Sequence, residues 1–194
     1  DLEFYSVLRT INAIENSDVC LLMIDAENGI EAQDLSILGL IEKNRKGIAI
    51  VVNKWDLIEK DTKTAKAFED RIRERIAPFR DIPIVFISVL DKLRIMKVVE
   101  IALKVYENKT QEIKTREIND FILPVIEAQP PPSIKGKEVK IKYVSKLKGE
   151  ALFMFYCNLP QYVAESYKRF LENKLREHYD FSGVPIVVSI RKKD

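Results

Sequence analysis

Apolar residues recur along this chain with two different periods, and the changes of period mark its elements. Over residues 4–16 they return at Val7, Ile11 and Ile14, the spacing of one face of a helix. Val19–Asp25 (VCLLMID) is instead a continuous apolar run, the pattern of a strand covered on both faces. A turn at residues 26–30 (AENGI) leads into a second helix over 33–44, with Leu35, Leu38 and Ile41 on its apolar face. Residues 48–52 (IAIVV) predict the next buried strand, and 63–76 a charged helix ending near Pro78. Residues 84–88 (IVFIS) predict a third strand. Residues 92–108 predict a long helix with Val98, Ile101, Leu103 and Val105 available for packing.

Strand followed by helix, three times over, predicts an α/β unit with a parallel sheet and right-handed crossovers. Three strands make a thin sheet, and Val19–Asp25 would form an exposed apolar edge. The expectation that follows is that further strands of this sheet lie in sequence before Asp1, which is not a Met.

Beyond Asn108 the pattern changes. Residues 109–117 are polar, 118–126 predict a short helix, and Gln129-Pro130-Pro131-Pro132 ends it, because consecutive prolines cannot continue a helix. Residues 138–158 predict a β-hairpin turning at Lys148-Gly149-Glu150. A helix over 162–179 carries Val163, Tyr167, Phe170, Leu171 and Leu175 on one face, and 185–190 (PIVVSI) closes the order as a strand. This predicts a small α+β unit with an antiparallel or mixed sheet and helices on one face.

Charge sharpens the division. Net charge is only +2 over 194 residues, but residues 131–194 hold 13 Lys/Arg against 7 Asp/Glu while the rest is net acidic. A basic end suits an anionic partner. In an extended strand Lys140, Lys142, Lys146 and Lys148 share one face, with Val139, Ile141, Tyr143 and Leu147 on the other; Val144 falls among the lysines. Such a row suits phosphate contacts, which give affinity without reading sequence. None of the six glycines forms the Gly-x-x-Gly clamp with which KH domains grip RNA. Cys20 and Cys157 each sit in an apolar run, so two reduced core thiols in a cytoplasmic protein are expected. No apolar run approaches the ~20 residues that cross a bilayer, so no membrane partner is expected. A single histidine, His178, near a helix end, leaves a metal or nucleophile site little to work with.

The chemical signal is Asn53-Lys54-Trp55-Asp56, directly after the strand 48–52. Ligands of open α/β sheets bind at the carboxyl ends of the strands. A carboxylate at Asp56 can accept two adjacent N–H donors from the Watson–Crick edge of guanine, which adenine does not offer. Asn53 can donate to a base acceptor and tie neighbouring loops, and Lys54 can lay its stem along the ring face. Ser88-Val89-Leu90 ends the adjacent strand; a Val89 N–H could reach the base oxygen, with the Ser88 hydroxyl bracing the loop.

Asn53-Lys54-x-Asp56 followed by Ser88-Val89-Leu90 resembles the fourth and fifth motifs of translation-factor-type GTPases. Trp55, the segment Tyr5-Ser6-Val7-Leu8-Arg9-Thr10 and Asp25-Ala26-Glu27-Asn28-Gly29-Ile30 resemble the Der (EngA) family. So do Pro130-Pro131-Pro132, Lys140-Ile141-Lys142-Tyr143, Glu165-Ser166-Tyr167-Lys168-Arg169-Phe170 and Gly183-Val184-Pro185-Ile186. The resemblance implies a partial P-loop-NTPase-type parallel sheet with helices on both faces, followed by a small KH-like domain. Residues 1–110 would be the C-terminal half of a GTPase domain and 111–194 the KH-like domain. It implies GTP or GDP as ligand, with Asn53, Lys54, Trp55, Asp56, Ser88, Val89 and Leu90 around the base. Mg²⁺ is expected only with an upstream half. It further implies a monomer acting on the large ribosomal subunit, with rRNA meeting Lys140, Lys142, Lys146 and Lys148. The sequence departs from the family in lacking G-x-x-x-x-G-K-[ST], and in having Val89 where the fifth motif usually has Ala. This chain by itself is therefore expected to be inactive, and no catalytic residue is named. The competing readings are a non-enzymatic RNA- or ribosome-binding module and an Era-like GTPase.

Overall fold

The computed structural model describes residues 2–59, 61, 63–134 and 136–192. Contacts divide the chain into two compact units, residues 1–108 with 182–185 and residues 109–181 with 186–194.

The first unit runs α1 (Leu2–Glu15), β1 (Val19–Asp25), α2 (Ala32–Lys43), β2 (Gly47–Asn53), α3 (Thr64–Arg75), β3 (Ile84–Phe86) and α4 (Ile95–Thr110). Its sheet has the order β1-β2-β3, all parallel. β2 is central and buried over residues 47–52, as its unbroken apolar sequence requires. On one face, Ile24, Ile48, Ile50 and Val52 pack with Leu38 and Ile41 of α2 and Phe68 and Ile72 of α3. On the other, Val51, Val85 and Ile87 meet Val98 and Ile101 of α4. Helices therefore cover both faces, as expected.

Three expectations need correcting here. β1 is covered on one face only: Leu21 and Met23 are exposed while Leu22 and Ile24 are buried. And α4 packs through Val98, Ile101 and Val105 but not Leu103, which is 59% exposed. The helix also starts later than residue 92, because Lys92 and Arg94 both take left-handed backbone angles, which a right-handed helix cannot include.

The second unit runs α5 (Thr115–Ala128), β4 (Ile141–Lys146), β5 (Leu152–Cys157), α6 (Glu165–His178) and β6 (Val187–Lys192). Its sheet is mixed, β4-β5 antiparallel and β5-β6 parallel. Ile118, Ile122 and Ile126 of α5 and Tyr167, Leu171 and Leu175 of α6 are buried, as are Val144, Phe153, Phe155 and Cys157 of the sheet. Gly149 turns the hairpin with φ +74°, an angle glycine adopts without steric cost. Both cysteines are free, as expected.

The lysine row does not form. Ile141 pairs with Cys157 but Tyr143 with Tyr156, so Lys142 is an extra, unpaired residue, a β-bulge. One inserted residue moves everything after it to the opposite face. Val144 thus enters the core, and Tyr143 leaves it. Lys146 donates to the Gln111 carbonyl at 2.9 Å, and burial lowers its pKa. Lys140 pairs with Glu138, and Lys148 with Glu112.

Buried Tyr167 donates its hydroxyl to the Gln129 carbonyl at 2.8 Å, and burial pushes its pKa up to about 12. An acid whose folded pKa is raised stays neutral in the fold while the unfolded chain ionises. Its stabilising contribution is complete below about pH 10 and is lost as pH rises towards 12. Tyr179, pushed up to about 12 by burial and then by Glu117, adds to the same loss. Urea denaturation at pH 9 and pH 11.5 should show a loss that Tyr167→Phe reduces. The same substitution should cost about 1 kcal/mol at neutral pH, the net value of a hydrogen bond.

Candidate functional site

The loops after β1, β2 and β3 meet at the carboxyl end of the first sheet. Asn53 ends β2, and Lys54 takes φ +62°, ψ +33°, the left-handed turn that reverses the chain into a single 3₁₀ turn at Trp55–Leu57. The Trp55 N–H donates to the Ile87 carbonyl at 3.0 Å. Its indole is buried, with ring centroids 4.4 Å from Phe86 and 5.5 Å from Phe68. Trp55 therefore anchors the loop from below, while Lys54 beside it is exposed.

That anchor leaves Asp56 half-buried at the strand end, with no hydrogen bond to its carboxylate among the described residues. The Val89 N–H donates to Asn53 Oδ1 at 3.1 Å, tying the two loops together. The N–H expected to reach a base oxygen is thus held by Asn53, whose NH₂ group makes no hydrogen bond among the described residues. Ser88 is fully buried; its Oγ accepts from the Asp91 N–H at 3.1 Å, and its backbone pairs with Leu93. That pairing is why β3 stops at Phe86 and does not reach Ser88. Val89 and Leu90 project outward, Leu90 84% exposed.

Sequence reasoning assigned no role to Asp25. The parallel register sets Asp25 beside Asn53, and its Oδ2 lies 2.6 Å from Lys54 Nζ. Its Oδ1 accepts from the Glu27 N–H at 2.9 Å. The Lys54 hydrogen bond, then the Glu27 N–H, hold the Asp25 carboxyl below the usual range, and the same contact raises Lys54. The tie is intact at neutral pH and is lost as pH falls through the lowered pKa of Asp25. An acidic residue closing the strand next to the motif-bearing one was the available signal. A cavity of about 390 Å³ lies nearby, lined by Glu27, Gly29, Phe68, Arg71 and Arg75, but Asn53, Lys54 and Asp56 are not among its walls. The described residues hold no cluster of His, Cys, Asp and Glu suited to a metal ion, and no helix long and apolar enough to cross a membrane.

Residues 112–191 match the family model described as the KH-domain-like, C-terminal part of EngA bacterial GTPase enzymes. Over its whole length the chain is 55% identical to the GTPase Der of Flavobacterium johnsoniae, covering 44% of that protein. It is 59% identical to the GTPase Der of Bacteroides fragilis, covering 45% of it.

The chain belongs to the Der (EngA) family.

It corresponds to the C-terminal portion of these Der proteins and spans less than half their length. Among solved structures, Era of Aquifex aeolicus aligns over 94% of this chain and 67% of its own, with 21% identity and a TM-score of 0.43, too slight a likeness to bear on function.

Proposed function

We propose that Asn53, Lys54 and Asp56, with the loop at 88–90, form the guanine-recognition face of a nucleotide site in a GTP-hydrolysing Der protein. The observation that carries this reading is the Asp56 carboxylate, half-buried and without a hydrogen-bond partner among the described residues, in the same loop as an Asn53 NH₂ group that also has none there. Guanine satisfies both: its N1–H and N2–H₂ donate to the carboxylate, and its acceptors take the amide protons. The Asn53–Val89 tie holds the amide, the Asp25–Lys54 ion pair holds Lys54, and buried Trp55 anchors the turn that carries Asp56 before a base arrives. GTP and GDP share that base, so this face recognises both, and it supplies binding and selectivity, not hydrolysis. The phosphates and Mg²⁺ fall to groups outside these 194 residues, and residues 1–110 act as the C-terminal half of the GTPase domain.

Residues 111–194 form the KH-like domain in this reading. The net basic charge of residues 131–194 suits contact with ribosomal RNA of the large subunit, whose assembly the protein serves as a cytoplasmic monomer. The test is displacement of a fluorescent GDP analogue from the intact parent protein. Unlabelled GDP should compete and ADP should fail at about 100-fold higher concentration, since adenine leaves the carboxylate unpaired. Equal competition by ADP would overturn the assignment.

A further inference from the structure

The bulge at Lys142 does more than break the lysine row. It places Tyr143, Tyr156 and Arg191 side by side across β4, β5 and β6, on the face opposite the helix-packed core. The two tyrosine rings stack, with centroids 4.6 Å apart and planes within 4°. Tyr143, on the edge strand, keeps 38% of its surface exposed, and Arg191 is exposed. The next row holds Ser145, Met154 and Ser189 and no carboxylate.

We propose that this open sheet face docks unpaired RNA, with a base stacking on the Tyr143–Tyr156 pair and Arg191 taking a phosphate. The proposal rests on the reading of residues 111–194 as an RNA-docking domain and names the surface that does it. With Tyr156 stacked on one side of it, the exposed Tyr143 ring on the edge strand leaves its other side to a base, which would extend the stack whatever its identity. A guanidinium in the same row matches phosphate with paired N–H donors. The absence of carboxylates from both rows removes the repulsion that a polyanion would meet, and Lys142, exposed at the bulge, adds charge at the rim. A protein partner would want apolar area here; the row instead ends in a cation, and in the next row serines flank the one methionine.

Fluorescence anisotropy of a labelled single-stranded RNA of roughly 12 nucleotides, titrated with the full chain, tests this. Tyr143→Ala should weaken binding about tenfold and Tyr143→Phe should retain it, because the ring and not the hydroxyl makes the stack. Arg191→Ala should weaken binding and flatten its dependence on salt. Circular dichroism melting checks that each variant folds, which exposure of these side chains favours. Unchanged affinity in Tyr143→Ala and Arg191→Ala, with RNA still bound, would overturn the proposal and leave the RNA reading standing; a protein would then be the better occupant of this face. Equal competition by duplex RNA would also overturn it, since paired bases cannot stack on the rings. No RNA binding by the unaltered chain would remove the underlying reading and the proposal together.

Discussion

Asp56→Asn in the intact parent protein is expected to lower affinity for GDP by about 100-fold and to raise affinity for the xanthine nucleotide. A carboxylate is an acceptor on both oxygens, so it pairs with two adjacent donors at once. Asparagine keeps one acceptor and gains a donor. Against guanine, the new NH₂ group meets the base amino group, donor against donor. Against xanthine, which carries a carbonyl in place of that amino group, donor meets acceptor and the pairing is restored. Each charge-assisted bond lost is worth about 1.5–3 kcal/mol, and about 1.4 kcal/mol is a factor of ten. Competition by GDP, XDP and ADP against one labelled nucleotide measures the change. Because the Asp56 carboxylate makes no hydrogen bond among the described residues, the melting temperature should hardly move. A variant that still prefers guanine by the same factor would remove Asp56 from the base contact.

The legible parts of this fold were those in which a single residue pattern settles the outcome. Val19–Asp25 and the run at 48–52 have no polar residue to turn outward until their ends, and they form strands side by side. The illegible parts are those where a backbone event intervenes. Nothing in Asp91-Lys92-Leu93-Arg94 announces two left-handed residues, so the start of α4 was placed too early. The alternation of Lys140, Lys142, Lys146 and Lys148 was real in the sequence, but a single bulge residue reversed its meaning. The same bulge turned Val144, a misfit among lysines on paper, into a fully buried core residue. At the candidate site, the motif residues were legible because their chemistry is local. Asp25 was not, because its partnership with Lys54 arises from the register between two strands, 28 residues apart in β1 and β2 by the pairing of Asp25 with Asn53. The motif leaves the position of Trp55 open, so its burial against Phe68 and Phe86 is not legible from the motif and follows from where α3 packs.

Gly183→Ala should produce the largest stability loss from a single added methyl group. Gly183 has φ +76°, and a Cβ there would lie 2.6 Å from the Ile48 carbonyl oxygen and 2.7 Å from Val105 Cγ2. The oxygen belongs to the central strand β2 and cannot withdraw. Val105 is fully buried. Nor can the segment move away, because the Gly183 N–H donates to the Asp81 carbonyl and the Gly183 carbonyl accepts from the Ile48 N–H, both at 2.7 Å. The left-handed angle costs an alanine about 1 kcal/mol and overpacking about 1–3 kcal/mol more, so the loss should approach 3 kcal/mol. At roughly 2–4 °C per kcal/mol, the first unit should melt about 10 °C earlier. Gly149 supplies the control: its φ is +74°, but nothing lies within 4 Å of its would-be Cβ. Gly149→Ala should therefore cost only the conformational part, about 1 kcal/mol. Thermal melts of the two variants separate the effects. Equal losses would mean that backbone conformation alone accounts for Gly183, and that the approach of residues 182–185 to β2 is looser in solution than the hydrogen bonds from Gly183 require.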